Sequence, residues 1–279
     1  MDTTQIGNMI ATLRKQAGFK QEELAERLGI TAQAISRWEN GHSLPETALL
    51  PVLSKLLHST IDAILMPCDI QSGDIIDFGG LKWRILDIDG ENALVITETT
   101  VGKAPFHDFP GDVTWDICNL RKYLNNEFYE KFTDIEKSRI IQTNVTARDN
   151  PWYNVKCGAS TTDNVFLLSY EEVVRYFGDS GDLESKNGYF CKKNGEFTKS
   201  ASKSMYTKKP FGDAIFDQYN DARRVNNMKG EEDWWWLRSP GGQGRMTAGS
   251  IGYLGEIWIC GDDAYRVDGG VRPVMWVKM

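Results

Sequence analysis

The sequence predicts two unlike folds in one chain. An all-α domain of five helices spans residues 1–66, a short connector 67–73, and a larger α+β domain 74–279. Three observations carry this reading. Before residue 66 apolar residues recur at helical spacing. After Met66 the composition changes: Gly, aromatic and β-branched residues increase, and eight of the nine tryptophans lie there. Finally, 279 residues suit two domains better than one small helical module.

In the first region, Ile6, Met9, Ile10 and Leu13 mark a helix that Gly18 stops. A second helix runs from about Gln21 to Leu28. A third follows Thr31, a good N-cap residue, and ends at Asn40-Gly41. A fourth is expected over Glu46–Leu57 after Pro45, and a fifth over Ser59–Leu65. The connector from Pro67 to Gly73 is short and not Gly/Ser-rich, unlike a long flexible tether.

The second region opens with expected strands GDIIDFG, LKWRILDID and ALVITETTV, with Asp89-Gly90 as a hairpin signal. Helices are expected from about Asp116 to Phe132 and over Asp134–Arg139. VFLLS reads as a buried strand leading into the helix YEEVVRYFG. Lys193-Asn194-Gly195-Glu196 marks a hairpin, and WWWLRSP, IGYLGEIWI and GVRPVMWVKM read as strands between Gly-rich loops.

Composition excludes several classes of function. There is no run of 18 apolar residues and no basic-then-apolar leader, so the sequence gives no transmembrane helix or signal peptide and a cytoplasmic setting is expected. The five cysteines, Cys68, Cys118, Cys157, Cys191 and Cys260, are scattered and form no CxxC. The three histidines are not their near neighbours. Zinc fingers and disulfide frameworks are therefore not expected, and neither is any metal or cofactor. The net charge of −7 argues against a protein that coats nucleic acid indiscriminately. Residues 1–66 carry six Lys/Arg against seven Asp/Glu, so DNA binding there must use a local face and favour specific sites.

That local face lies in residues 20–41, KQEELAERLGITAQAISRWENG, two short amphipathic helices joined by a tight turn. On the third helix Ile35 and Trp38, three apart, point inward. The opposite face carries Gln33, Ser36 and Arg37, with Ala32 at its edge. Gln can bond adenine bidentately, Arg can bond guanine O6 and N7, and Ala can meet a thymine methyl. Gln21, after Lys20, opens the second helix where donors can meet a phosphate.

Residues 6–65 resemble the Cro/C1-type (XRE-like) helix-turn-helix repressors, through LRKQAGFKQEELAERLG and the RWENG ending. The resemblance implies a sequence-specific transcriptional regulator, a repressor binding a double-stranded operator as a homodimer. Gln21, Ala32, Gln33 and Arg37 match the DNA-contacting positions and Asn40 a backbone-contacting one. Thr31 and Ser36 lie beside the same interface. Arg14 and Glu39 match a structural ion pair between helices. One departure is Lys20, where the family often has Ser or Thr, so the second helix loses an expected side-chain N-cap.

In the second region WWWLRSPG and GVRP, with TWDICNLRKYLN and VFLLS, resemble an uncharacterised bacterial domain family similar to C-type-lectin-like and formylglycine-generating-enzyme-like folds. Physically, Trp234 and Trp236 share one strand face and Trp235 takes the other. They read as core anchors, with an aromatic ligand platform as the alternative. Arg238 and Arg272 need carboxylate or carbonyl partners if buried. If the lectin-like resemblance holds, the ligand surface lies between the two signatures, with Arg245, Thr247, Tyr253, Trp258 and Tyr265 as candidates. No catalytic residue is expected. The oxidase alternative needs paired cysteines, and Cys260 stands alone in the last 80 residues. The effector or partner of this domain, small molecule, sugar or protein, stays open.

Overall fold

The computed structural model describes residues 3–65, 70–186, 188–193, 196–200, 214–242 and 246–279; over 188–200 only the backbone is described. The chain divides into two units, Met1–Ile70 and Gln71–Met279, a break that falls within the connector marked by the sequence.

The first unit contains α1 (Thr3–Gln16), α2 (Gln21–Leu28), α3 (Ala32–Glu39), α4 (Leu50–Leu56) and α5 (Ile61–Leu65). Its core joins Ile6 and Ile10 of α1, Leu24 of α2, Ile35 and Trp38 of α3, Leu53 of α4 and Ile64 of α5. Gly29 ends α2 at φ 67°, the left-handed conformation glycine adopts without a Cβ penalty. Gly7 lets α1 touch the end of α3: a Cβ there would lie 2.2 Å from the Trp38 carbonyl oxygen. The fourth helix is shorter than expected. Residues Thr47–Leu49 form a 3-10 turn, and the α-helix proper carries Pro51 in its first turn, where a missing N–H costs nothing.

The second unit contains a five-stranded antiparallel sheet in the order Ile75–Phe78, Leu81–Asp89, Asn92–Thr97, Val274–Lys278, Ile140–Ile141. Asp89 pairs with Asn92, closing a two-residue hairpin whose Gly90 has φ 58°. A six-stranded sheet runs Trp235–Pro240, Thr247–Ile251, Ile257–Asp263, Ala214–Ile215, Gly188–Lys193, Glu196–Ser200. The last two strands pair antiparallel as expected; the Asn194-Gly195 turn between them lies outside the described residues.

Other element assignments change too: IGYLGEIWI, expected as a strand, is the tip of a hairpin, with residues 252–256 turning between Thr247–Ile251 and Ile257–Asp263. The helix expected from Asp116 starts later, as α6 (Asn119–Tyr123), and runs on through a wider π turn and a 3-10 turn to Lys131. Cys118 caps it, accepting from Arg121 N–H, because residues 114–117 form a turn instead. VFLLS is not a strand. Val165–Leu168 are buried, but only Phe166 bridges, to Val274, so burial rather than pairing gives the run its apolar character. Two later helices follow expectation: α7 (Asp134–Arg139), capped by Thr133, and α8 (Tyr170–Phe177), capped by Ser169.

The signature tryptophans are core anchors. Trp234, Trp235 and Trp236 are 3%, 0% and 0% exposed, which rules them out as a ligand platform. Trp234 and Trp236 share a face with ring centroids 4.7 Å apart, while Trp235 packs on Phe177 at 6.3 Å. Arg238 is buried against the Glu172 carboxylate and the Leu167 carbonyl. Arg272 takes the other route: it donates to the Thr97 carbonyl at 2.9 Å and lies over the Trp235 ring at 5.0 Å. Burial lowers the pKa of Arg272 to about 10.

Candidate nucleic-acid interface

The frame of the first unit is an ion-pair network. Arg14 Nε donates to Glu39 Oε1 at 2.5 Å, Arg14 Nη2 to Glu39 Oε2 at 3.0 Å, and Arg14 Nη1 to the Phe19 carbonyl at 2.7 Å. These bonds tie α1 to the end of α3 and to the turn before α2. Burial by itself pushes the Glu39 carboxyl up, but the hydrogen bonds from Arg14 and Gln21 outweigh it and hold the pKa below the ordinary value. A depressed carboxylate contributes stability above its unfolded pKa and loses it as pH falls through the folded value. Acid below the ordinary glutamate range is therefore expected to loosen α1–α3, measured by amide exchange of those helices. Glu39→Gln should flatten that response; an unchanged acid profile would refute the role.

Gln21 belongs to this frame. Its Nε2 donates to Glu39 Oε2 at 2.6 Å, so in the free protein the carboxamide nitrogen faces the network. Lys20 offers no side-chain cap, as its residue type implies; instead Glu23 reaches back to Lys20 N–H at 2.9 Å. Thr31 caps α3 by accepting from Ala34 N–H at 3.2 Å. Asn40 Nδ2 donates to the Ser36 carbonyl at 2.7 Å, which closes the last turn of α3.

Against this frame the outer face of α3 stands clear. Ile35 is 0% and Trp38 5% exposed, whereas Gln33 and Arg37 are exposed and Ala32 and Ser36 half-buried. Among the described residues neither Gln33 nor Arg37 is tied to another protein group. Two long polar side chains thus project from a helix seated by two buried apolar ones, the arrangement that base reading requires.

The candidate ligand residues of the second unit do not converge. Thr247 pairs with Asp263 at the base of the hairpin Thr247–Asp263, while Tyr253 lies at its tip. Four residues of strand separate base from tip, about 13 Å. Trp258 is half-buried and donates to Glu256 Oε1 at 3.2 Å; Tyr253 and Tyr265 are exposed. Arg245 lies outside the described residues. Of the described candidates, Thr247 alone lines a cleft of this unit whose floor is Arg238-Ser239-Pro240 of the first signature and whose walls include Trp115, Arg148 and Ser169.

Asn150 was not singled out in the sequence. It is 1% exposed, donates to the Pro240 and Ile259 carbonyls at 2.9 Å each, and accepts from Trp152 and Tyr153 N–H. A lone Asn before Pro151 reads as a turn, and only the fold shows it bracing the cleft floor. Cys118, Cys157 and Cys260 are in no disulfide among the described residues, and burial raises the Cys118 pKa to about 12. Among the described residues no group of three His, Cys, Asp or Glu could hold a metal ion, and no helix is long and apolar enough to cross a membrane.

Comparison with known proteins separates the two units. Residues 10–64 match the family model described as Helix-turn-helix, and residues 90–279 match the one described as Domain of unknown function (DUF6273). The chain is 36% identical over 61 residues to the HTH-type transcriptional activator BcrR of Enterococcus faecalis, covering 22% of this chain and 30% of that protein's length. It is 33% identical over 82 residues to the antitoxin HipB of Escherichia coli, covering 29% of this chain and 89% of HipB. Among solved structures, it is similar to the P22 c2 repressor in complex with a synthetic operator, at 32% identity and TM-score 0.21, over 21% of this chain and 89% of that one. These relatives match the N-terminal part alone. Through residues 90–279 the chain belongs to the family described as Domain of unknown function (DUF6273), and it carries an XRE-type helix-turn-helix domain at its N-terminus.

Proposed function

We propose that this protein is a sequence-specific transcriptional regulator that represses by binding a DNA operator through α3, with the larger unit binding an effector. The observation that carries the reading is the exposed, unpaired pair Gln33 and Arg37 on a helix anchored by buried Ile35 and Trp38. In this reading Arg37 and Gln33 contact bases, Ala32 meets a thymine methyl, and Thr31, Ser36 and Asn40 lie along the backbone contacts. Gln21 reaches a phosphate through its backbone or its carboxamide oxygen, since its nitrogen is held by Glu39. Two copies engage a palindromic operator with half-sites about one helical turn apart. Support comes from the match of residues 10–64 to the Helix-turn-helix family model and from the similarity to an HTH-type transcriptional regulator. The larger unit acts by binding, not by catalysis: an effector that favours one state of the protein changes operator affinity by that difference.

The test is operator selection from a randomised pool, followed by affinity measurements. Arg37→Ala and Gln33→Ala are each expected to lose about 1–3 kcal/mol of discrimination at one base position. Because both side chains are exposed, the melting temperature is expected to stay within the error of the parent. Equal binding to every member of the pool by parent and variants alike would end this assignment.

A further inference from the structure

The cleft over Arg238-Ser239-Pro240 has the chemistry of a carboxylate site. Ser169 and Ser239 are each 4% exposed and line it. Ser239 Oγ accepts from Tyr170 N–H at 3.1 Å, and Ser169 Oγ accepts from Glu172 N–H at 3.3 Å. Each hydroxyl therefore uses a lone pair on the first turn of α8 and keeps its proton. Among the described residues neither proton goes to a protein acceptor. Two buried hydroxyl donors facing one cleft call for an acceptor from outside the protein.

The charges of the lining decide which acceptor. Arg238 is neutralised by Glu172, leaving the exposed Arg148 at the rim as the one lining cation without a partner among the described residues. One unpaired cation matches a monoanion and falls short of a phosphate dianion. Phe106, Val113, Trp115 and Val145 give the walls apolar surface, alongside the polar side chains of Thr114, Thr146 and Thr247. The free space for the centres of water-sized groups is about 20 Å³. That is room for one or two water-sized positions, a single head group whose remainder must extend past the rim. The floor is braced before any ligand arrives, since Asn150 holds the Pro240 carbonyl at 2.9 Å and Glu172 holds Arg238.

We infer that this cleft binds the carboxylate of a small organic acid or of a peptide C-terminus, with Ser169 and Ser239 donating to its oxygens and Arg148 supplying the charge. The inference rests on the reading of the larger unit as effector-binding and names the chemical class of that effector.

The experiment is calorimetric titration of the full chain with acetate, butyrate and a tetrapeptide carrying a free or an amidated C-terminus, with operator affinity measured on the same preparation. Saturable binding of butyrate or of the free-acid peptide, absent for the amidated peptide, is expected. Butyrate binding points to a free acid as the source; binding of the free-acid peptide alone points to a chain terminus. Arg148→Gln is expected to weaken binding at least 10-fold, and Ala159→Phe, at an exposed rim position, to block it, both with an unchanged melting profile. No saturable binding by any carboxylate, or equal binding of the amidated peptide, overturns the site even if the operator is bound normally. Carboxylate binding that leaves operator affinity unchanged upholds the site and removes its regulatory role instead.

Discussion

Trp38→Ala is expected to destabilise the N-terminal unit by about 3–5 kcal/mol, the usual cost of emptying a buried tryptophan site. Trp38 is 5% exposed and sits in the core with Ile6, Ile10, Leu24, Ile35 and Leu53. The site cannot easily collapse, because α1 is already in contact with the end of α3 at Gly7. A small unit has only about 0.05–0.15 kcal/mol of stability per residue, so the loss would take a large part of the total. Amide exchange of α1–α3 in the full chain should rise towards that of an unfolded segment, while exchange in the sheets of the second unit stays as before. Operator binding should fall for every sequence alike, which separates this variant from Arg37→Ala. Unaltered exchange in α1–α3 would show that Trp38 is not a core anchor.

The second large effect is expected at a buried ion pair in the larger unit. Arg223 and Asp217 meet at 2.8 Å with side chains 0% and 2% exposed. Removing one partner leaves the other charge buried, at a cost of about 3–5 kcal/mol. Asp217→Ala should therefore lower the denaturation midpoint of this unit sharply, and Asp217→Ala with Arg223→Met should recover part of it. Burial pushes the Asp217 carboxyl up, but hydrogen bonds from Arg223, Tyr219 N–H and Ser180 overcome that and leave its pKa below the ordinary aspartate value. The stability it contributes is thus present above the unfolded aspartate pKa and is lost as pH falls through the lower folded value. Asp217→Ala should lose that part of the acid dependence. A double variant no more stable than the single one would contradict the pair's role.

How much was legible in the sequence differs between the two units for a physical reason. In residues 20–41 the signals are local. A left-handed Gly29 ends α2, Thr31 caps α3, and a period of 3.6 puts Ile35 and Trp38 inside with Gln33 and Arg37 outside. Each rests on interactions within a few residues, so spacing alone reveals it. The Arg14–Glu39 pair spans 25 positions and was legible through the family resemblance; its geometry agrees. Gln21 shows the limit, since a polar residue at a helix start does not reveal that its nitrogen is bonded to Glu39.

In the second unit the alternation of the three tryptophans and the pairing across Asp89-Gly90 and Lys193–Glu196 were legible, again because period 2 and turn chemistry are local. The helix expected from Asp116 and the strand expected at VFLLS were misjudged. Both lie where contacts distant in sequence decide the backbone, such as Phe166 with Val274. The candidate ligand residues were chosen by type between two signatures, and they fall at opposite ends of one hairpin or outside the described residues.

By itself the sequence determined that this chain opens with a helix-turn-helix domain, which face of α3 carries Gln33 and Arg37, and that an unlike α+β domain follows. Only the tertiary structure decided that Gln21 is tied to Glu39, that Trp234–Trp236 are sealed in a core, and that Ser169, Ser239 and Arg148 meet in one cleft. The first set follows from periodicity and capping, which act over a turn or two of chain. The second depends on where segments 69 positions apart come to rest, as when Tyr170 N–H finds Ser239 Oγ, and no local pattern encodes that.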